Sequence, residues 1–218
     1  MKLFVDTGSI KDIEAIAALG ILDGVTTNPS LLAKEKGDFK QNLKRICEIV
    51  KGPVSGEVTA TDLAGMLQQG HDIARIDPHM VVKVPLTRDG IRTCKALSDE
   101  GIPVNVTLVF SAAQAILAAK AGATFVSPFV GRLDDVGTDG MGLIREIVEI
   151  YRQYDAFTTE VLVASCRHPM HIVSATRMGA HICTAPPAVI EQLFNHPLTT
   201  IGLEKFLKDW EQSQAVKA

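Results

Sequence analysis

One lysine lies at the centre of an apolar segment of this chain, and its surroundings point to covalent chemistry. Lys83 follows two valines and precedes a third in the segment 80–85, a β-branched run that is typical of a buried parallel strand. Lysine is seldom fully buried without a partner, and burial disfavours its charged form, which leaves a nucleophilic amine. Such an amine can form a Schiff base with a carbonyl compound. The alternative is an edge strand whose ammonium group extends into water.

Polar residues also stand near the carboxyl ends of the other apolar segments, where inward-facing positions of a barrel would carry branched apolar side chains. They are Asp6, Thr26, Asn28, Glu57, Asn105, Thr107, Ser127, Ser165 and Arg167. Each has an ordinary explanation when taken alone: Asp6 could cap a helix, Asn28 could form a turn and Glu57 could be exposed to solvent. Because the active sites of α/β barrels lie at this end of the strands, the residues together predict one site.

Two arginines and a serine suggest that part of this site binds an anion. Arg132 follows the sixth apolar segment, and Ser165 and Arg167 end the seventh. A guanidinium group presents a planar fork of donors that suits a phosphate, and phosphate sites on barrels are often built from late loops. The alternative is that Arg132 pairs with Asp134 or Asp135 and that Arg167 is solvated.

The elements that must position these residues alternate between strand and helix. Short apolar runs recur at intervals of roughly 20–30 residues, and a helical pattern follows each of them. The predicted strands are 3–7, 24–28, 53–58, 80–85, 103–109, 124–130, 160–166 and 181–185. The predicted helices are 10–19, 39–50, 61–76, 90–100, 111–121, 140–154, 169–178 and a helix from Pro187 onward.

Eight such units without a linker predict an α/β fold: a closed (β/α)₈ TIM barrel that forms a single domain over residues 1–218. A doubly wound open sheet is the alternative, and the lack of a G-x-G-x-x-G turn makes it less favoured. An additional C-terminal helix is predicted over 198–214, with Phe206 and Trp210 on one face. Its apolar residues should pack on the outside of the barrel or on a neighbouring subunit.

Composition narrows the possible partners and compartment. The 218 residues carry a net charge of −3, so we expect neither nucleic acid nor a membrane as a partner. The N-terminal apolar stretch is too short for a signal peptide. The four cysteines show no C-x-x-C spacing and fit the reduced thiols of a cytoplasmic protein, and the six histidines show no metal-binding pattern. We therefore expect no metal site.

Six segments of the chain resemble the transaldolase family, and in particular its short-chain branch, which also contains the fructose-6-phosphate aldolases. The matching segments are 4–7, 24–30, 81–85, 105–107, 127–132 and 164–167. They occur in the family's order along nearly the whole chain. Thr-Thr-Asn-Pro-Ser at 26–30, followed by Lys-Val-Pro at 83–85, is a specific pair.

The resemblance implies an enzyme of the pentose phosphate pathway that transfers a dihydroxyacetone unit between sugar phosphates without a cofactor. Lys83 would form the Schiff base, and Asp6 would carry the proton of the C4 hydroxyl while the C3–C4 bond breaks. Glu57 would act through a water near the imine, with support from Thr107.

The resemblance also assigns substrate contacts and an assembly. Asn28 and Asn105 would hold hydroxyl groups of the dihydroxyacetone fragment. The remaining positions implied to bind substrate are Thr26, Ser127, Phe129, Arg132, Ser165 and Arg167, of which the two arginines and Ser165 would take the phosphate. The short-chain branch forms pentamers, often paired into decamers, so a homo-oligomer is expected, with the C-terminal helix reaching over a neighbour.

Two positions distinguish transaldolases, which transfer the dihydroxyacetone unit, from aldolases, which release it. The fructose-6-phosphate aldolases carry Gln where Glu57 stands and Tyr where Phe129 stands, so both residues favour a transaldolase. An aldolase that releases free dihydroxyacetone is the first alternative. A non-catalytic sugar-phosphate-binding barrel is the second, and the buried Lys83 is evidence against it.

Overall fold

Eight parallel strands close into one barrel in chain order. The computed structural model describes residues 1–217, with side chains described up to residue 215. The strands are β1 Lys2–Asp6, β2 Gly24–Thr26, β3 Val54–Glu57, β4 Met80–Pro85, β5 Val104–Val109, β6 Phe125–Pro128, β7 Glu160–Val163 and β8 Ile182–Ala185. Each strand pairs in parallel with its two neighbours, and β8 pairs back to β1. The predicted (β/α)₈ fold is confirmed, and the open sheet is excluded.

Helices follow the strands, and those before the C-terminal helix cover the outside of the barrel and bury its outer face. They are α1 Ile10–Ala17, α2 Pro29–Leu32, α3 Phe39–Val50, α4 Leu63–Ala74, α5 Arg88–Asp99, α6 Ala112–Lys120, α7 Val130–Asp134, α8 Gly140–Tyr151, α9 Pro169–Met178, α10 Pro187–Gln192 and α11 Pro197–Lys217. The strands are buried on both faces, which explains why valines dominate them rather than an apolar–polar alternation.

The interior of the barrel is built in layers. A cluster of buried apolar side chains fills one layer, in which Phe4 and Phe125 pack edge to face with ring centroids 6.1 Å apart. Side chains two residues apart on a strand point to the same face. The residue two positions after a member of this apolar layer therefore lies in the next layer. The pairs are Phe4 and Asp6, Val81 and Lys83, Phe125 and Ser127, and Ile182 and Thr184. The apolar layer therefore forms the floor beneath a polar layer.

The structure ends three strands two or three residues earlier than predicted and adds two short helices. Asn28, predicted as the end of a strand, is instead the N-cap of α2, where its Oδ1 accepts from Leu31 N–H at 2.9 Å. Val130, also predicted in a strand, begins α7, and Cys166 lies three residues beyond the end of β7. At four and five residues, α2 and α7 are too short to show a helical period in the sequence.

The C-terminal helix is present but does not pack on the barrel. The predicted segment 198–214 lies within α11, where the side chains of Phe206 and Trp210 are 71% and 64% exposed. Of the two packing surfaces considered for it, the structure therefore excludes the outside of its own barrel. Among the described residues, no helix is long and apolar enough to cross a membrane.

Candidate active site

Strand register places the predicted polar residues at one end of the barrel. Glu57, Lys83 and Asn105 are Cα partners across β3, β4 and β5. Asp6 is likewise the partner of Thr26 across β1 and β2. Side chains that are far apart in the sequence thus meet above the apolar floor, at the carboxyl ends of the strands.

Lys83 is buried and makes two polar contacts. Only 4% of its surface is exposed, its Nζ lies 3.0 Å from Glu57 Oε2, and it donates to the Thr27 carbonyl oxygen at 3.0 Å. The edge-strand alternative is wrong, because β4 lies between β3 and β5 in a closed barrel. A carboxylate at this distance can accept the proton that the amine must lose before it attacks a carbonyl carbon.

Asp6 is held in a hydrogen-bond chain close to the lysine. The Thr26 hydroxyl donates to Asp6 Oδ1 at 2.7 Å, and Thr26 Oγ1 also lies 2.7 Å from Thr184 Oγ1. Burial raises the pKa of Asp6, while the Thr26 hydrogen bond and the charge of Lys83 oppose that rise. Asp6 does not cap α1, since Ser9 accepts the capping bond. A carboxyl group with a raised pKa is suited to taking a proton and returning it.

The Asn105 side chain is fixed in one orientation. Its Nδ2 donates to Ser55 Oγ at 3.1 Å, and its Oδ1 accepts from the Ser127 hydroxyl at 2.7 Å. All three side chains are buried. Ser55 was not predicted as a site residue, although it stands two positions before Glu57 and therefore shares its face of β3.

Thr107 is buried on β5 beside an irregular stretch of backbone. Among the described residues its Oγ1 has no hydrogen-bond partner, and an unsatisfied buried hydroxyl costs about 1–3 kcal/mol. Leu108 follows with φ of +59°, at a register shift between β5 and β6. Bulges of this kind occur next to active sites, where they redirect side chains. Within the described structure the hydroxyl therefore keeps its donor and acceptor positions free.

The three anion-binding candidates converge on one backbone junction. Ser165 adopts a left-handed conformation with φ of +61°, and its carbonyl oxygen accepts from Gly131 N–H at 3.1 Å. A Cβ on Gly131 would collide with that oxygen and would lie 2.5 Å from Arg167 Nε. Only glycine permits this close approach, which brings Arg132 and Arg167 to the same end of the site.

The two guanidinium groups have different neighbours. Arg132 Cζ lies 5.3 Å from the centroid of the Phe129 ring, a cation–π contact. Within the described chain it makes no ion pair with Asp134 or Asp135. Arg167 Nη2 does pair with Asp135 Oδ2 at 2.7 Å, and both side chains are more than half exposed.

A cavity of about 190 Å³ joins the lysine end of the site to the arginine end. Its lining is formed by Asp6, Thr26, Asn28, Lys83, Ser127, Phe129, Arg132, Ala164, Ser165, Arg167 and Thr184. Two further predicted residues lie directly behind it: Glu57 contacts Lys83, and Asn105 contacts Ser127. Thr184 was missed in the sequence, although it stands two positions after the inward-facing Ile182. Among the described residues no group of His, Cys, Asp or Glu side chains could hold a metal ion.

The fold and the site define a (β/α)₈ barrel with a buried lysine–carboxylate centre and an arginine-lined end. A family model described as transaldolase/fructose-6-phosphate aldolase matches residues 3–217. The chain belongs to this family.

Curated relatives agree with that assignment, and a solved structure shares the fold. The chain is 60% identical to a probable transaldolase from Rhodospirillum centenum, over 98% of this chain and 92% of the relative. It is 55% identical to a probable transaldolase from Nitrosopumilus maritimus, over 99% and 97% of the two chains. A thiamine phosphate pyrophosphorylase from Pyrococcus furiosus covers 86% of each chain with a TM-score of 0.60 at 16% identity, so it shares the fold.

Proposed function

We propose that this chain is a transaldolase that moves a dihydroxyacetone unit between sugar phosphates through a Schiff base on Lys83. The donors would be fructose 6-phosphate or sedoheptulose 7-phosphate, and the acceptors erythrose 4-phosphate or glyceraldehyde 3-phosphate. The observation that carries the proposal is the buried Lys83 Nζ, 3.0 Å from Glu57, at one end of a cavity that reaches two arginines. The names of the relatives support it.

The reaction begins when the Lys83 amine attacks the C2 carbonyl of the ketose and water leaves. Asp6 then takes the proton of the C4 hydroxyl, the C3–C4 bond breaks and the aldose phosphate departs. The electrons of that bond flow into the protonated imine, which is the sink that makes the cleavage possible. An acceptor aldehyde then adds to the enamine carbon, Asp6 returns the proton to the new hydroxyl, and water releases the new ketose from Lys83.

Glu57 and Thr107 are proposed to bind the water that leaves when the imine forms and that enters when the imine is hydrolysed. Glu57 contacts the amine directly, which places a base next to the atom that gains and loses protons. The unpartnered Thr107 hydroxyl is a suitable second anchor for a bridging water. Neither residue needs to touch the sugar for this role.

The remaining polar residues are proposed to hold the substrate. Asn28 and Asn105, with Thr26 and Ser127, would bind hydroxyl groups near the imine. At the other end Arg132, Ser165 and Arg167 would take the phosphate through charge-assisted hydrogen bonds. The two ends together predict a preference for phosphorylated ketoses.

Phe129 is proposed to favour transfer over release. Its ring lines the cavity and packs at an angle of 65° against Phe110, with centroids 6.0 Å apart. A phenyl ring has no acidic proton, so the enamine is not protonated while it waits for an aldehyde. A phenol at this position would supply one.

The double variant Glu57→Gln with Phe129→Tyr tests this assignment. We expect it to release free dihydroxyacetone from fructose 6-phosphate faster than the wild type and to lose transferase activity, since it gains a phenol and loses a carboxylate. A coupled assay for dihydroxyacetone, with and without erythrose 4-phosphate, measures both activities. Phe110→Tyr is the matched control, because it adds a phenol to the neighbouring ring. Rapid release by the wild type without an acceptor would instead identify an aldolase.

The chain is also proposed to form a homo-oligomer, a pentamer or a decamer, through α11. The exposed Phe206 and Trp210 lie one helical turn apart and form an apolar surface that a single copy leaves in water. Within this proposal residues 1–218 form one domain, and the protein acts in the cytoplasm, where charged sugar phosphates are retained.

Truncation of the chain after His196 should reduce the mass of the particle. Multi-angle light scattering measures that mass directly, and Leu198→Ala offers a milder change in the same helix. An unchanged mass after truncation would show that α11 makes no essential contact between subunits.

A further inference from the structure

A buried histidine connects the two loops that carry the arginines. His171 lies in the first turn of α9 and is only 4% exposed. Its Nδ1 accepts from the backbone N–H of Arg167 at 3.2 Å, and its Nε2 lies 2.9 Å from Asp134 Oδ2. Asp134 ends α7, the five-residue helix that also contains Arg132. One imidazole ring thus contacts both arms of the anion-binding end.

The two contacts select one form of the ring. Because Nδ1 accepts a hydrogen bond, the single proton of the neutral imidazole belongs on Nε2, where it is donated to Asp134. Burial lowers the pKa of His171, and the charges of His168 and Arg167 act in the same direction, while Asp134 opposes them. The ring of His168 also packs against it at a tilt of 41°, with centroids 3.9 Å apart. The neutral ring is therefore the form that fits this position.

Asp134 extends the connection to a third element. Its other oxygen, Oδ1, accepts from the backbone N–H of Gly140 at 3.0 Å, where α8 begins. A helix of one turn is not stable alone, so α7 depends on such contacts to hold its orientation. His171 and Asp134 supply two of them, and neither residue lines the cavity.

We propose that His171 is a positioning residue that sets the separation of Arg132 and Arg167 for the substrate phosphate. It touches no substrate: it holds the Arg167 backbone from one side and α7 from the other. Two guanidinium groups bind one phosphate well only when their spacing matches its oxygens, so a small displacement weakens both contacts. This inference rests on the proposed function for its substrate, while the phosphate contact itself can be measured separately.

A purely structural role is the competing explanation. The Nδ1 contact resembles a helix cap, in which a side chain of the first turn bonds a backbone N–H just before the helix. Loss of a cap lowers stability and would reduce turnover of every donor alike. Loss of arginine spacing would instead affect phosphorylated ligands alone, so the comparison of two ligands separates the explanations.

Three substitutions of His171 remove its two hydrogen-bond contacts separately or together. His171→Asn can still accept from the Arg167 N–H but cannot reach Asp134. His171→Gln can still donate to Asp134 but lacks the Nδ1 acceptor. His171→Phe keeps the ring and loses both contacts. The matched control is His71→Gln, because His71 Nε2 also pairs with a carboxylate, Glu100 at 2.7 Å, on the outer helices.

The first measurement is the Kd of inorganic phosphate by calorimetry. We expect His171→Phe to raise it about tenfold, which is less than the loss of a whole charge-assisted contact, and His171→Asn and His171→Gln to raise it less. His71→Gln should match the wild type, and Arg132→Ala should mark the effect of losing one direct phosphate contact. An unchanged Kd in His171→Phe would overturn the proposal, as would a wild type that binds no phosphate.

The second measurement compares donors. His171→Phe should raise the KM of fructose 6-phosphate about tenfold with kcat within about twofold of the wild type. Its kcat/KM for unphosphorylated fructose should stay unchanged. Equal losses of kcat/KM for both donors would establish the capping role instead. If His171→Phe does not fold, the same comparison is made with His171→Asn and His171→Gln. A wild type that binds phosphate but transfers no dihydroxyacetone would reject the proposed function, and the calorimetry would still test His171.

Discussion

Replacement of Lys83 by alanine is expected to lower kcat by roughly 10⁴-fold or more, because no other group can form the covalent intermediate. The remaining Asp6 and the arginines would still bind substrate, so KM should change far less. Steady-state kinetics with fructose 6-phosphate and erythrose 4-phosphate measures both. Lys120→Ala, at an exposed position on α6, is the control and should keep full activity.

The stability of the same variant tests the ion pair. Removing one partner of a buried pair leaves the other charge uncompensated, which is destabilising. Lys83→Ala should therefore be less stable than the double variant Lys83→Ala with Glu57→Gln, in which neither charge of the pair remains. Denaturant unfolding compares them, and a double variant that is no more stable than the single one would show that the pair is not coupled in this way.

Replacement of Asp6 by asparagine is expected to lower kcat about 10²- to 10⁴-fold, the usual effect of losing a general acid–base group. Asparagine keeps an oxygen that can accept from Thr26 but cannot take a proton. The same change should stabilise the protein at neutral pH. A carboxyl group whose pKa is raised on folding contributes stability below its unfolded pKa and loses that contribution as the pH rises through the folded value.

The stability gain should therefore depend on pH. It should be largest at neutral pH, where the wild-type carboxylate is ionised, and should shrink as the pH falls through the raised pKa of Asp6. Urea unfolding of both proteins across that range measures the difference, and Asp155→Asn, at an exposed position after α8, is a control for charge alone. An Asp6→Asn protein that is less stable than the wild type at neutral pH would contradict the assigned environment.

Local sequence patterns predicted the fold and the grouping of the site well. Valines on both sides of Lys83 indicated a buried strand, and β4 has the predicted bounds 80–85. Helices 39–50 and 169–178 also agree with α3 and α9, because each shows several turns of apolar periodicity. Once a barrel is assumed, strand period and strand order alone place Asp6, Glu57 and Lys83 at one end.

Features that depend on tertiary contacts could not be predicted from the sequence. The left-handed conformations of Leu108 and Ser165 are not marked by glycine, so nothing local in the sequence indicates them. No sequence motif indicates the contact between His171 and Asp134, because the two residues are far apart in the chain. Cys166 and Cys183 are 17 residues apart in the sequence, yet their sulfur atoms lie 3.3 Å from each other, because β7 and β8 are neighbours.

The most direct test of the account is chemical trapping of the intermediate. The wild type is incubated with fructose 6-phosphate and borohydride, digested and analysed by mass spectrometry, with Lys83→Ala treated in parallel. We expect a reduced dihydroxyacetone adduct on the peptide that contains Lys83, and no adduct in the variant. An adduct on a different lysine, or an active wild type that traps none, would contradict the assignment of Lys83 as the residue that carries the Schiff base.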